Sequence, residues 1–428
     1  MFTKLHCWLL LLLVFLIKCA ERDALNPFEA SEKVSPPLTL EIIPENQHAV
    51  KLEWDWTNHK INDYSGFRIY RSRDDSKNYT LYKELSPDVF SFTDTEVENY
   101  HWYYYRVSVF GPNVESKPSD SQKTLLGPGQ YWLLSSFGLS IRKLSYDLLH
   151  TLDYYETNYP SNDWEFSLVD SLIWLCFNNY GIGISSFDLI KGHEDFYYHN
   201  ELNAPVGIKQ DWTTQTTFIL DKPRTGDVSS LHILKNRSFH KNIKLDSNDY
   251  IKITLCNTTE QLFILSKKKL LIMNTNTLIF SDTLFFPVNY SAQDFYKAAN
   301  FLYVLLRSDN ENKSQIISFT MQGRIQNVLF MGGDFYRLYV DEISNNFILA
   351  EWSENSKDSL VKLSDTGNRL FEIASFSHIE DIKINPYDQS IIIVDRTGDR
   401  TYLINKDGIL ISQSEINLYY DPIRVFVE

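Results

Sequence analysis

Six basic residues recur at nearly even spacing along the last two-thirds of the chain. Each lies in a short run typical of a strand, with steps of 40 to 46 residues between neighbours: Lys209, Lys252, Lys297, Arg337, Lys383 and Arg424. A residue that recurs once per structural repeat is expected to occupy the same place in each repeat. Like charges held together are unfavourable unless carboxylates, water or an anionic ligand compensate them. The spacing therefore predicts a ring of cations around a central channel, and a binding site for an anion.

The same ring has a second interpretation, as a solvated lining whose charges neutralise one another. Asp211, Asp341, Asp381 and Glu428 are near the cations in sequence and are candidates to pair with them. The cations would then recur because the repeats were duplicated, without any ligand. The sequence leaves both interpretations open.

No linear catalytic or metal-binding motif accompanies the cations. The sequence contains no H-E-x-x-H, G-x-S-x-G, phosphate-binding glycine loop or EF-hand loop. Its ten histidines are scattered, without a close pair at ligand spacing. We therefore predict no catalytic residue, no metal and no cofactor. Carboxylates that converge from different repeats would leave no linear motif, so a hydrolase or lyase acting on a glycan or peptide is the alternative.

The N-terminus has the composition of a secretory signal. Lys4 precedes an unbroken apolar run of eleven residues, 7–17, which is too short to span a bilayer but suits a signal core. Leu16, Ile17, Lys18 and Cys19 then resemble the processing box of bacterial lipoproteins, although a small residue is usual where Lys18 stands. The resemblance implies a signal peptide over 1–18, lipidation of Cys19, and a polar tether over 19–35.

This leader predicts a location and a set of partners. A lipid anchor implies a membrane-attached protein of the bacterial cell envelope, and Ala20 after the cysteine is compatible with the outer membrane or cell surface by the same resemblance. The net charge of −14 argues against nucleic-acid binding. We expect a monomer whose partners are a protein, a glycan or a small anionic ligand.

Residues 36–124 contain short alternating apolar runs at the spacing of a β-sandwich. Trp54, in the second run, and Tyr70, in the third, are placed as core residues, and Tyr103 occupies a tyrosine-corner position. The segment resembles a fibronectin type III domain. The resemblance implies a spacer or contact domain.

Residues 130–428 consist of repeats with four short strands each. The third strand of each unit supplies one anchor, and the anchors average about 43 residues apart: Leu144, Phe187, Leu234, Met273, Phe319, Leu363 and Ile404. A period of 40–45 residues with four strands is typical of propeller blades. Seven anchors predict a seven-bladed β-propeller.

The last repeat and the C-terminus predict how the propeller closes. The last repeat resembles the NHL type of propeller repeat, at Asp395, Gly398, Arg400, Tyr402, Asp407 and Gly408. Because many propellers of that family have six blades, six is the alternative count. The chain ends in a lone strand, 423–428, which would complete the first blade and leave no long free edge.

These features together predict an all-β protein with a fibronectin type III sandwich followed by a propeller. We expect a membrane-anchored binding or scaffolding lipoprotein outside the cytoplasm, whose propeller recognises a protein or an anionic ligand. The six cations are the predicted ligand-binding residues.

Overall fold

A computed structural model describes residues 36–37, 39–56, 64–167, 169–177, 183–199, 202–223, 227–353, 357–414 and 421–428. The signal peptide and tether predicted over 1–35, including Cys19, lie outside the described residues. The chain divides into two compact units between Gly127 and Pro128. Across the described ranges the regular structure is strand, apart from one 3-10 turn at Asn257–Thr259. The all-β prediction is confirmed.

The described part of the first unit contains eight strands: β1 Thr39–Asn46, β2 Ala49–Asp55, β3 Gly66–Arg73, β4 Thr80–Leu85, β5 Ser91–Asp94, β6 Trp102–Gly111, β7 Val114–Glu115 and β8 Gln122–Leu125. One sheet has the order β1-β2-β5, and the other has the order β4-β3-β6-β7 with β8 also paired to β6. Alternating side chains from both sheets share one core, which includes Trp54, Phe67 and Tyr105. The Tyr103 hydroxyl accepts a hydrogen bond of 2.9 Å from the backbone N–H of Glu98.

In the second unit the described residues form 28 strands. The first fourteen are β9 Tyr131–Ser135, β10 Ser140–Leu144, β11 Thr151–Glu156, β12 Asp163–Ser167, β13 Leu172–Phe177, β14 Gly183–Asp188, β15 His193–Tyr198, β16 Ala204–Asp211, β17 Thr216–Lys222, β18 Ser230–Lys235, β19 Ser238–Lys244, β20 Tyr250–Cys256, β21 Gln261–Ser266 and β22 Lys269–Asn274. The others are β23 Ile279–Phe285, β24 Tyr290–Lys297, β25 Phe301–Ser308, β26 Lys313–Thr320, β27 Ile325–Gly332, β28 Phe335–Asp341, β29 Asn346–Glu351, β30 Asp358–Leu363, β31 Arg369–Phe376, β32 Ile379–Ile384, β33 Ile391–Asp395, β34 Arg400–Ile404, β35 Leu410–Gln413 and β36 Pro422–Val427.

These strands form seven antiparallel four-stranded sheets. Sheet 1 has the order β11-β10-β9-β36, and sheets 2 to 7 are consecutive meanders: β12–β15, β16–β19, β20–β23, β24–β27, β28–β31 and β32–β35. The C-terminal strand β36 pairs with β9, so both ends of this unit lie in sheet 1. The first strands of neighbouring sheets contact one another in sequence from β12 to β32, and β36 contacts both β32 and β12. The seven sheets therefore form a closed ring.

The core of this unit lies between neighbouring sheets. The middle strands are apolar on both faces, as in β33, where every residue of Ile391–Asp395 is buried. Such strands need a neighbour on each side, because a half-covered apolar strand leaves one face in water. Between sheets 4 and 5, for example, Phe263 and Leu265 share a cluster with Phe295 and Val304. The fourth strands are more exposed, as β19 illustrates.

Candidate functional site

A cavity of about 890 Å³ lies at the centre of the seven sheets. Its walls come mainly from the innermost strand of every sheet: β36 for sheet 1, and β12, β16, β20, β24, β28 and β32 for the others. Lys267, after β21, and Arg307, in β25, also line it. Five carboxylates and seven basic side chains line it: Asp163, Glu165, Asp294, Glu380 and Asp381, with Lys209, Lys252, Lys267, Arg307, Arg337, Lys383 and Arg424. The cavity is therefore strongly charged, with an excess of cations over carboxylates.

A β-bulge recurs in six of the seven innermost strands and marks equivalent positions, which line this cavity in every sheet except sheet 3, where Gly207 is not among the lining residues. In β16, β20, β24, β28, β32 and β36 the pairing register shifts once near the start of the strand. The first paired residue after each shift, together with Asp163 at the start of β12, forms a set that we call the channel ring: Asp163, Gly207, Lys252, Asp294, Arg337, Asp381 and Arg424. The steps between these residues are 42 to 45.

The charges of the channel ring alternate in sign except at Gly207. Because seven is odd, strict alternation around the ring requires one uncharged position, and glycine supplies it in sheet 3. Neighbours of opposite sign pair across the sheet boundaries. Lys252 Nζ lies 2.6 Å from Asp294 Oδ1, and Arg424 Nε lies 3.1 Å from Asp163 Oδ1.

The ring carboxylates also bind the backbone of the following sheet. Asp163 Oδ2 accepts the N–H of Ile208 at 3.3 Å. Asp294 Oδ2 accepts the N–H of Leu338 at 3.1 Å, and Asp381 Oδ2 accepts the N–H of Val425 at 3.1 Å. In each case the donor is the residue after the next ring position. Ring carboxylates therefore join sheets 2 to 3, 5 to 6 and 7 to 1.

A second layer of side chains lies two residues further along the same strands. It contains the ion pair of Lys209 with Glu165, the aromatic rings of Tyr296 and Tyr339 with centroids 4.6 Å apart, Lys383, and Phe426. Lys383 Nζ lies 2.9 Å from Asp381 Oδ1 and so links the two layers. Burial raises the pKa of Glu165, although the ammonium of Lys209 opposes that shift.

Glu380 has several cationic neighbours. Its Oε1 is 2.8 Å from Arg337 Nη2 and 3.2 Å from Arg424 Nη1, and its Oε2 is 3.6 Å from His378 Nε2. Burial alone would raise the pKa of Glu380. The hydrogen bond from His378 and the charges of the arginines outweigh burial and hold that pKa well below its usual range. Glu380 is therefore a fixed negative charge.

Five of the six predicted cations line the cavity. The prediction that all six occupy equivalent positions in their strands is wrong. Lys209 and Lys383 lie two positions beyond the ring, whereas Lys297 lies three positions beyond Asp294 and outside the cavity lining. The cause is that the bulge, rather than the basic residue, marks equivalent positions, and sheets 3, 5 and 7 carry Gly207, Asp294 and Asp381 there.

Of the four acidic residues considered as partners, Asp381 pairs within the cavity. Asp211 accepts a hydrogen bond from the backbone of Thr213, within its own turn. Asp341 similarly accepts a bond from the backbone of Ile343, and Glu428 pairs with Lys143.

The sequence analysis missed Asp163, Glu165, Asp294 and Glu380. A signal for two of them was present, because Asp163 and Asp294 fall on the same 42–45-residue period as the ring cations. An alignment that allowed either sign of charge at each position would have found them. Glu380 has no counterpart in that period, and its role follows from the three-dimensional structure.

Among the residues that the structure describes, His, Cys, Asp and Glu form no group of three or more at metal-binding geometry. Helices long and apolar enough to cross a membrane are likewise not found in those ranges.

Comparison with known proteins gives the class of the second unit. No family model matches the sequence, and no curated protein matches it. Solved structures do match, at low identity. The periplasmic gluconolactonase PpgL of Pseudomonas aeruginosa has a TM-score of 0.56 at 9% identity, covering 70% of this chain and 98% of its own.

Two further solved structures match with similar TM-scores and equally low identity. A candidate 6-phosphogluconolactonase from Bacteroides uniformis has a TM-score of 0.56 at 10% identity and covers 71% of this chain and 100% of its own. A protein of unknown function from Desulfotomaculum acetoxidans has a TM-score of 0.54 at 10% identity, covering 70% and 98%. At such identities the likeness shows the fold alone. The predicted β-propeller is confirmed, and the charged cavity is its central channel.

Proposed function

We propose that this chain is a lipid-anchored binding or scaffolding protein of the bacterial cell envelope, without enzymatic activity, whose propeller channel binds an anionic ligand. The observation that carries the proposal is the pairing of the channel carboxylates. Each of the five that line the cavity lies beside a lysine or arginine, in the pairs Asp163–Arg424, Glu165–Lys209, Asp294–Lys252, Glu380–Arg337 and Asp381–Lys383.

Ion pairing is unfavourable for acid–base catalysis and favourable for anion binding. A general base works best when its pKa is near the operating pH. The pKa values of Glu380 and Asp381 are instead lowered, because nearby cations outweigh the effect of burial. Arg307 pairs with Asp334, so once the five carboxylates are neutralised Lys267 is the lining cation that remains, in a channel that also contains Tyr296 and Tyr339, to attract an anion.

We infer that the second unit is a seven-bladed propeller, with each four-stranded sheet as one blade and β36 completing the first. We infer likewise that the first unit is a fibronectin type III domain. Its sheet orders, β1-β2-β5 and β4-β3-β6 with β7 and β8 paired to β6, support this assignment. The hydrogen bond that Tyr103 accepts from Glu98 is the contact expected of a tyrosine corner.

The anchor and location are proposals from the sequence. Processing at Cys19 would place acyl chains at the start of the tether, and two or three chains hold a protein firmly on a membrane. Intact-mass spectrometry of the mature protein from a bacterial membrane fraction tests this. A diacylated or triacylated N-terminus at Cys19 is expected, and an unmodified cysteine or cleavage elsewhere would contradict it.

A propeller hydrolase is the second candidate function. Two of the similar structures are described as lactonases, and the raised pKa of Glu165 is a property that an acid catalyst needs. The assay that separates the candidates is hydrolysis of D-glucono-1,5-lactone at a high protein concentration. The binding proposal predicts no rate above the spontaneous one.

Isothermal titration calorimetry tests the binding itself. The purified described region, 36–428, is titrated with D-glucuronate, D-glucose 6-phosphate and neutral D-glucose. We expect the wild type to bind an anionic sugar and not glucose, and Lys252→Gln to weaken that binding at least tenfold. Lys244→Gln, on the exposed strand β19, is the matched control and should leave the affinity unchanged. Absence of binding by both anions would contradict the proposed function.

A further inference from the structure

The boundary between sheets 3 and 4 differs from the others around the channel. At the other six boundaries, ring side chains or Glu380 make an ion pair or a hydrogen bond to the next sheet, as at Lys252–Asp294 and Arg337–Glu380. At the boundary of sheets 3 and 4 the ring residue is Gly207, which has no side chain to form an ion pair or a hydrogen bond with the next sheet. Apolar residues such as Phe218, Leu220 and Leu262 pack there instead.

The backbone N–H of Ile253 lies at this break. Five equivalent N–H groups, each one residue after a ring position, donate to a ring carboxylate: those of Ile208, Phe295, Leu338, Ile382 and Val425. Ile253 pairs with Ile264 just as Ile208 pairs with Ile219, so its N–H lies at the same edge of the strand. The ring positions on either side of it are Gly207 and Lys252, and neither is a carboxylate.

Lys252 is also the most exposed cation of the ring and its second layer. Its side chain is 49% exposed, against 22–33% for Lys209, Arg337, Lys383 and Arg424. Its partner Asp294 is only 5% exposed, and both Asp294 oxygens already accept backbone N–H groups. The ammonium of Lys252 lies at the boundary of sheets 4 and 5, 2.6 Å from Asp294 Oδ1 and 3.4 Å from the carbonyl oxygen of Phe295, and its half-exposed side chain would turn to reach the break.

A second lysine reinforces the positive charge. Lys267 lines the same cavity, and its carbonyl accepts the N–H of Ala292, which fixes its backbone beside β24. Burial lowers the pKa of the nearby Lys222, the charge of Lys267 lowers it further, and the carboxylate of Asp249 opposes both. Lys267 therefore adds a positive charge to this part of the lining.

We propose that the break at Gly207 is the ligand site of the channel, and that it binds the carboxylate group of a small ligand. The carboxylate accepts the N–H of Ile253 and pairs with the ammonium groups of Lys252 and Lys267. The ligand carboxylate thereby accepts a backbone N–H as three ring carboxylates do at other boundaries, where they bind the following sheet: Asp163, Asp294 and Asp381. The inference rests on the proposed function and adds to it the position of the site and the class of anion.

The same geometry provides a substitution that imitates the ligand. A Cβ built on Gly207 lies 3.3 Å from Ile253 Cγ1, 3.8 Å from Asp163 Oδ2 and 3.9 Å from the nitrogen of Ile253. Ile253 would have to move by a few tenths of an ångström, and Gly207 is not among the residues with a positive φ angle. An aspartate at 207 would therefore reach the Ile253 N–H and Lys252 from within the protein.

The test compares Gly207→Asp with Gly207→Asn by calorimetric titration of residues 36–428 with D-glucuronate. The two side chains are equal in size and differ in charge. We expect Gly207→Asp to weaken D-glucuronate binding at least tenfold, because its carboxylate neutralises the lysines and repels the carboxylate of the ligand. Gly207→Asn fills the same space without a charge and should bind D-glucuronate at least threefold more tightly than Gly207→Asp does. Lys267→Gln should weaken binding about three- to tenfold.

The outcomes separate this inference from the proposed function. If the wild type binds D-glucuronate and both Gly207→Asp and Lys267→Gln bind it equally well, the ligand site lies elsewhere in the channel and the inference is overturned. If the wild type binds D-glucose 6-phosphate but not D-glucuronate, the anion class is wrong. If it binds neither, the proposed function itself fails. Should Gly207→Asp not fold, as judged by circular dichroism, Lys267→Gln decides alone.

Discussion

The channel ring has two regions that use the same residue types differently. Around sheets 5 and 6, Asp294 is buried, pairs with Lys252 of sheet 4 and accepts the N–H of Leu338 in sheet 6. At the boundary of sheets 3 and 4, Gly207 interrupts the alternation, so no ring charge among the described residues links these two sheets. Lys252 belongs to the next boundary, where it pairs with Asp294 although its side chain is half-exposed. In the first region the charges join the sheets, whereas the second has no such link.

The difference shows how an odd-numbered ring can combine stability with binding. Buried ionic groups stabilise only when each has a partner, and a ring of seven alternating charges cannot pair them all. An uncharged residue at one position avoids a repulsive contact and also leaves one boundary without a polar link. The account therefore predicts large stability effects where the charges are paired and small ones at Gly207.

The largest effect is expected on deleting residues 423–428, which removes most of β36. This strand contributes the buried side chains of Ile423 and Val425, each worth roughly 1.5–3 kcal/mol. It also carries Arg424, which pairs with Asp163 and Glu380. The loss approaches the whole stability of a typical domain, roughly 5–15 kcal/mol. We expect aggregation or the loss of a cooperative thermal transition, monitored by circular dichroism and size-exclusion chromatography. A truncated protein that melts like the full chain would show that β36 does not close the ring.

Asp294→Ala should have the next largest effect, because it leaves Lys252 and the N–H of Leu338 without their acceptor. A buried N–H left without its acceptor costs about 1–3 kcal/mol, and the half-exposed ammonium of Lys252 adds little. Gly207→Ala, at the equivalent position of sheet 3, adds only a methyl group and should change stability by less than about 1 kcal/mol. Urea unfolding measures both. Equal effects of the two substitutions would remove the distinction between the regions.

Acid should weaken the paired region through Glu380. Its pKa is lowered in the folded protein, so the stability it provides is complete above the ordinary glutamate pKa of 4.5 and is lost as the pH falls below that value. Each such group changes the free energy of unfolding by up to about 1.4 kcal/mol per pH unit. We expect urea unfolding between pH 5 and pH 3 to show a shallower decline for Glu380→Gln than for the wild type. Parallel curves would exclude this role of Glu380.

The smallest effect is expected from His378, which stacks on Tyr336 and faces Glu380 and Asp358. The hydrogen bond to Glu380 raises the pKa of His378 above 6.5 although burial opposes it. Its stabilising charge is therefore present below pH 6.5 and is lost as the pH rises through the folded pKa. Since the side chain is 39% exposed, the change should stay below about 1 kcal/mol. Melting curves from pH 6 to pH 8 should be flatter for His378→Gln, and an unchanged slope would contradict this.

The sequence predicted the repeating units better than the site. Apolar runs such as Ile391–Val394, bounded by turn residues, predict four-stranded units because their period is local, and the all-β propeller followed from it. The predicted lone strand at the C-terminus occupies the position of β36. The sequence placed Lys209 and Lys383 around the channel, but it aligned them with the ring cations although they lie two residues further along, in the second layer. A one-residue bulge changes which side chains are equivalent, and it has no signature in composition.

Asp294 and Gly207 show why the rest of the site was out of reach. The importance of Asp294 arises from Lys252, 42 residues before it, and Leu338, 44 residues after it. Gly207 matters because it is the uncharged position of the ring, and this becomes visible only when the seven equivalent positions are compared in three dimensions. Partners brought together by ring closure cannot be assigned from the spacing of one residue type.

A crystal structure of residues 36–428 with D-glucuronate would test the central claim most directly. The account predicts the carboxylate within hydrogen-bond distance of the Ile253 nitrogen and beside the ammonium groups of Lys252 and Lys267, next to Gly207. The paired region of the ring, including Asp294 and Arg424, should keep its internal bonds. A carboxylate bound instead at Arg337, Lys383 or Arg424, with the Gly207 region untouched, would contradict the account.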